Sequence, residues 1–299
     1  MIRYPVTRQE LEDAVDAVSS DWRDRAAART QRLVALQRWT DEFQDDEERV
    51  TWSEVKKVFR DLQHEKCAYC ERRLDSDPDL PTLGSQEHDL EHFRPKSKTI
   101  PWKKRALFPE QHVDFRKGMG RKQGYFWLAF ELWNWCTSCK RCNSQLKGNR
   151  FPLSKSGTSG SPTDSVPDLQ ETERPLLVYP LGELDRDPEQ LLEFHGLTVR
   201  PRAPAGGDRH RGRAVIAFFL LNAGGLVQSR AVWLTLTWNH LVKDLDGDSA
   251  GREKVDSWLA STKVPHAAAV RAFIRLGRGD RARAEAVMVE VGRIMEGFE

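Results

Sequence analysis

The sequence predicts a mixed α+β protein in which a cysteine-rich, metal-binding module sits between two helical flanks. Three observations predict it. Apolar residues recur at helical spacing near both ends of the chain. From Cys67 to about Leu153 that texture gives way to short runs rich in Cys, Trp, Gly and Pro. The same stretch carries two Cys-x-x-Cys pairs, Cys67/Cys70 and Cys139/Cys142. With 299 residues, the core is large enough to need no disulfide staples.

The elements follow in order. Residues 1–60 read as an N-terminal helical region. Leu11, Ala14, Val15 and Val18 fall on one face of a first helix, and Leu33, Leu36 and Gln37 recur before Trp39. Residues 41–48 are acidic and read as solvated. A further helix is expected over residues 52–63, with Val55, Val58, Phe59 and Leu62 inward and Thr51 or Ser53 as N-cap. Residues 61–155 form the module. Residues 156–172 lie in a Ser/Gly/Pro-rich stretch that predicts a linker or flexible loop. Residues 173–299 predict a mostly helical C-terminal region. Within it, 176–179 and 194–199 read as short strands, and 202–212 as a Pro/Gly-rich basic loop. No internal repeat is present.

Several classes are excluded. The first residues lack the charged-then-apolar pattern of a signal peptide. The longest apolar run, 214–221, is too short to span a bilayer. The expectation is a cytoplasmic protein with no membrane partner. In a reducing compartment two Cys-x-x-Cys turns indicate metal before disulfide. Each turn points two thiolates at one ion, and two turns complete a closed tetrahedral site, so a structural zinc is expected on Cys67, Cys70, Cys139 and Cys142. Cys136, the fifth cysteine, reads as a small buried thiol. The 68 residues between Cys70 and Cys139 are too many for a simple finger, which puts the chemistry in the insert.

There Glu91-His92 places a carboxylate beside an imidazole, and Asn134 and Asn143 add two amides near the second pair. An imidazole can take a proton from water near neutral pH. A carboxylate and an amide oxygen suit a hard cation such as Mg²⁺ or Mn²⁺. Together they would serve a one-metal hydrolysis of a phosphodiester. His88 and His92 have the spacing of a zinc-protease helix, but Asp89 stands where its Glu belongs and Pro95 limits a helix. A zinc deaminase is a poor match too, because no Pro precedes Cys139.

The order of Cys67-x-x-Cys70, Glu91-His92, Asn134 and Cys139-x-x-Cys142-Asn143 resembles the HNH (ββα-metal, treble-clef) endonucleases. The run from Glu91 to Lys96, Trp127-Leu128-Ala129, and the run from Lys147 to Leu153 resemble the HNH subgroup encoded beside an ATPase in Septu anti-phage systems and some retrons. The resemblance is dense over residues 61–155. It implies a ββα-metal module whose general base is His92. It makes Glu91 and Asn143 ligands of a catalytic Mg²⁺ or Mn²⁺, and Asn134 the residue that orients the His92 loop. It also implies an AAA/ABC-type (PtuA-like) ATPase subunit as partner, and DNA as substrate. RNA such as tRNA, cut by the same site, is the alternative, as is a non-catalytic zinc-knuckle scaffold.

Charge supports a phosphate-bearing partner. The whole chain is +2. Residues 90–155 hold 15 Lys/Arg against 4 Asp/Glu, a net +11; the remainder holds 32 against 41, a net −9. Arg94, Lys96, Lys98, Lys103, Lys104, Arg105, Arg121, Lys122 and Lys147 are the expected nucleic-acid contacts.

Overall fold

The computed structural model describes residues 1–42, 49–74, 88–102 and 121–297. Helix α1 (Arg8–Val18) opens on a capping box, in which Thr7 and Glu10 each accept the other's backbone N–H. It buries Leu11 and Val15, while Val18, in its last position, turns out to solvent. Helix α2 (Trp22–Leu36) buries Trp22, Ala26, Arg29 and Leu33 and stops at Gln37, which adopts φ 52°. Helix α3 (Lys56–Leu62) begins later than its apolar pattern suggests. The backbone N–H and hydroxyl of Thr51 both donate to the Glu54 carboxylate, which closes a separate turn first.

The module is built on an antiparallel pair, β1 (His88–His92) and β2 (Trp135–Cys139). Cα partners run from His88 opposite Cys139 to His92 opposite Trp135. Two 3₁₀ turns, Phe126–Leu128 and Leu132–Asn134, lead into β2, and a π-helix, Arg141–Lys147, follows it.

The expected linker is corrected in part. Ser165 and Asp168 form a capping box that starts helix α4 (Val166–Glu173), and Glu173 ends in the interior. Residues 176–179 are buried as expected but form no strand. Tyr179 N–H donates to Asp185, and the Leu177 carbonyl accepts from Arg211, so side chains satisfy this backbone instead of a neighbouring strand. After the short α5 (Pro188–Leu191), β3 (Leu192–His195) and β4 (Thr198–Pro201) form a hairpin where one strand was expected. The basic loop is shorter than its composition suggests, because α6 (Gly206–Phe219) starts inside it. Helices α7 (Gly224–Leu245), α8 (Ser249–Ala260), α9 (Ala267–Gly279) and α10 (Arg281–Glu296) pack on one another.

One apolar core joins these parts. It runs from Leu11 and Trp22 through Tyr69, Phe93 and Trp135 to Phe219, Leu234 and Ile274. Among the described residues no single helix is long and apolar enough to cross a membrane; α6 and α7 pass such a test only together and are bent by 101°.

Candidate active site and metal centre

The fold brings the two Cys-x-x-Cys pairs together. The sulfurs of Cys67, Cys70, Cys139 and Cys142 are buried and all lie within 4.8 Å of one another. Cys70 and Cys139 are 3.9 Å apart. A tetrahedral zinc with Zn–S near 2.3 Å needs sulfurs about 3.8 Å apart, so the cluster is of the size that could bind a zinc ion. Local bonds make it so. Glu71, at φ 61°, turns the chain after Cys70, and its N–H donates to the Cys67 carbonyl at 3.0 Å. The buried Gln63 amide then grips Thr137 of β2, accepting its N–H at 2.6 Å and donating to its carbonyl at 2.9 Å. Hydrogen bonds from Cys142, Cys67 and Cys70 hold the Cys139 thiol below its ordinary range, so it ionises first. Cys136 stays outside the cluster. Burial pushes its thiol up to about 12, and it donates to the Tyr69 hydroxyl at 3.5 Å.

His92 ends β1 and is partly buried. Its Nε2 lies 2.9 Å from the Ala129 carbonyl oxygen. Its ring is held edge-on by Trp52 at 5.3 Å and Trp135 at 5.8 Å between centroids. Burial, then the charge on Lys96, pulls its pKa down to about 3. The imidazole is therefore neutral. A carbonyl only accepts, so the proton sits on Nε2 and Nδ1 keeps its lone pair.

Asn134 is fully buried and holds the chain just after His92. Its Oδ1 accepts the Arg94 N–H at 2.8 Å, and its Nδ2 donates to the carbonyls of Arg94 and Leu128 at 3.0 and 3.1 Å. Its own carbonyl accepts the Phe93 N–H at 2.7 Å. Glu91 points to the other face of β1, alongside Asp89. It is buried and ion-paired with Lys147, whose ammonium also donates to the His92 carbonyl at 2.7 Å. Burial raises the Glu91 pKa, and Lys147 opposes that. Asn143, in the first turn of the π-helix, donates through Nδ2 to Asp89 at 3.1 Å. His88 and His92 sit on a strand, about 13 Å apart at that rise, so they cannot share an ion.

The expected phosphate contacts divide. Arg94 and Lys147 are fully buried, which corrects their reading as surface cations. Arg94 pairs with Glu173 at 2.9 Å and donates to Gln170 at 2.9 Å, and Tyr125 donates to the same carboxylate at 2.7 Å. Lys98 and Lys122 are exposed. Lys96 rests over the rings of Trp39 and Trp52 at 4.4 and 3.6 Å, and Arg121 over Tyr125 and Trp127 at 4.6 and 4.9 Å. Lys103, Lys104 and Arg105 lie outside the described residues.

The chain is similar to the Septu protein PtuB of Bacillus mycoides (strain KBAB4). The two are 30% identical over 140 residues. The match takes in 47% of this chain and 38% of that protein, so the chain is a distant homologue matched over less than half of either. No family model matches the chain. No solved structure matches it.

Two groups near the site gave no clear signal in sequence. Trp52 packs edge-on against His92, and Trp39 packs on Trp52, contacts that no spacing in the sequence indicates. Asp89 looked like part of a false protease motif, but it is the carboxylate that meets Asn143. The oxygen donors of Asn143, Asp89 and Glu91 are of the hard type that suits Mg²⁺ or Mn²⁺. Their charges are unequally free, because Lys147 neutralises Glu91 while Asp89 is met by Lys140 at 3.8 Å.

Proposed function

We propose that the chain is an HNH-type nuclease subunit of an anti-phage defence system, hydrolysing phosphodiester bonds of DNA together with an ATPase partner. The observation that carries the reading is the state of His92. It is neutral, its Nε2–H is anchored on the Ala129 carbonyl, and Nδ1 is left to accept a proton from water. The surroundings agree with it. A β–β–helix unit sits on a four-cysteine cluster, and Asn134 is bonded across the loop that follows His92. Similarity to a Septu protein supports the defence role and the need for a partner subunit.

In this reading His92 takes the proton of the attacking water. Asn134 holds residues 93–94, and through them the end of β1, in place. Lys147 ties the same strand end to the π-helix. Asn143 with Asp89 and Glu91 would hold the divalent cation, which supplies positive charge to the scissile phosphate. Zinc on the four cysteines would hold the unit together and do no chemistry, since four protein ligands leave it no open position.

The test is cleavage of plasmid DNA and of tRNA in Mg²⁺ or Mn²⁺, with the protein alone and with the proposed ATPase subunit added. His92→Ala should lower the rate by roughly 10²–10⁴-fold, the ordinary contribution of a general base, while zinc content stays near one per chain. Unchanged cleavage in that variant would rule out the assignment of His92. Cleavage of tRNA and not plasmid would move the substrate to RNA with the same residues.

A further inference from the structure

We infer that the aromatic wall beside His92 stacks the unpaired bases of a single nucleic-acid strand, so that the substrate is single-stranded rather than duplex; this rests on the nuclease reading of His92. The wall is made of Trp39 and Trp52, with ring centroids 5.8 Å apart, backed by the buried Phe130 at 6.2 and 5.8 Å. Trp52 is the ring whose face or edge meets His92 at 5.3 Å, so the wall begins where the chemistry is placed. Trp39 and Trp52 are partly exposed, unlike the core tryptophans Trp22 and Trp135. Every base has a π-face that an indole can take, whatever its sequence. A base inside a duplex has both faces covered by its neighbours and cannot use such a wall.

Lys96 supplies the charge. Its ammonium lies over both indoles. The lysine sits on a flexible stem over partly exposed rings, and it can turn to a phosphate while a base takes its place. Exposed Lys98 and Lys122 add positive charge from the same stretch.

Phe130 also lines a separate cleft of about 380 Å³ between α2 and the turns before β2. Arg8, Glu12, Arg23, Gln31 and Trp127 line it. Glu12 meets both arginines, at 2.6 and 3.1 Å, and Glu131 adds a second carboxylate, so the cleft is charge-balanced and suits a base better than a phosphate. Trp127 is more than nine-tenths buried, and its indole N–H has no partner among the described residues. A strand passing His92 would thus lay bases on Trp52 and Trp39.

The experiment uses full-length His92→Ala protein, which can bind without cutting. Its affinity for oligothymidylate and for a blunt duplex of equal length is measured by anisotropy and by tryptophan fluorescence. The single strand should bind at least tenfold more tightly and quench the fluorescence. Trp39→Ala should weaken strand binding roughly 5- to 150-fold, the range for loss of one stacked base, and leave duplex binding unchanged. Trp39→Phe should keep most of the affinity. Equal or tighter duplex binding in the parent protein overturns the inference without recourse to any variant, as does Trp39→Ala binding the strand like its parent. The two readings fail differently. Strand binding with quenching, but no cleavage by protein with intact His92, removes the nuclease and keeps the stacking. Cleavage of duplex with no effect of Trp39→Ala does the reverse.

Discussion

At the scale of single residues, two lysines of the basic stretch illustrate what sequence conceals. Lys147 and Lys96 look alike in a list of charges. Lys147 is fully buried between Glu91 and the His92 carbonyl, whereas Lys96 lies on an aromatic surface. Lys147→Met should therefore act on stability first. It strands Glu91 as a buried carboxylate without its counter-ion, which costs about 3–5 kcal/mol. Urea unfolding should show that loss, and Glu91→Gln added to Lys147→Met should recover a large part of it. A Lys147→Met protein as stable as its parent would show that the pair is not formed. Lys96 should act on binding and on its pH dependence. Burial lowers its pKa to about 8. Its charge is present below that value and lost above it, so KM should rise as pH climbs through about 8. Lys96→Arg, charged throughout, should shift that limb upward, which a KM–pH profile would detect. Neutral His92, with a pKa of about 3, gives no acid limb between pH 5 and 8.

At the scale of elements, legibility followed locality. Helix α1 was readable because its apolar period lies within a few neighbouring residues, whereas α2 buries Leu33 but leaves Leu36 and Gln37, expected on the same face, exposed. The start of α3 was not readable, because the Thr51–Glu54 contact diverts the chain before the helix. The aromatic wall was invisible for a different reason. It is assembled from Trp39, three residues beyond α2, and Trp52, in a turn before α3, backed by Phe130 from a turn before β2, which no spacing rule connects. The loop after β1 also depends on a distant partner. Gly124 adopts φ 64°, and a Cβ there would lie 2.0 Å from the Ser97 carbonyl oxygen and 2.7 Å from that of Pro95. The Tyr125 N–H next to it donates to the Pro95 carbonyl at 2.8 Å. Gly124→Ala should thus push the loop that follows His92. The expected result is a loss of at least 1–3 kcal/mol in stability, by the strain of a left-handed non-glycine alone, with a fall in kcat larger than the change in KM. Denaturation and steady-state kinetics on the same preparation would check both parts.

At the scale of the whole molecule, the four cysteines were the most legible feature, because the chemistry of zinc dictates their spacing. Their reach into the fold was not legible. The segment around the first Cys-x-x-Cys turn is bonded to the C-terminal helical region, to α7 through Arg72 and the Gly225 carbonyl and to the start of α9 through Lys66 and Glu71. Lys66, fully buried, donates to the Val264 carbonyl at 2.9 Å. The Glu71 carbonyl accepts the His266 N–H at 3.3 Å, and the Glu71 carboxylate accepts the Ala268 N–H at 3.3 Å. These bonds join the cysteine cluster to α9, some 200 residues along the chain. If zinc holds that turn, its removal should be felt well beyond the module. Binding at closed cysteine sites is coupled to folding, so the turn should loosen once chelated. The amides of α9 should then lose hydrogen-exchange protection together with those of β2. Far-UV circular dichroism and tryptophan fluorescence should report one shared unfolding transition at a lower midpoint. Cys139→Ser should reproduce the shift without chelator. Loss of protection confined to residues 63–74 and 135–147, with α9 unchanged, would instead show a module that folds independently of its helical flanks, and would return the molecule to the modular division its composition suggests.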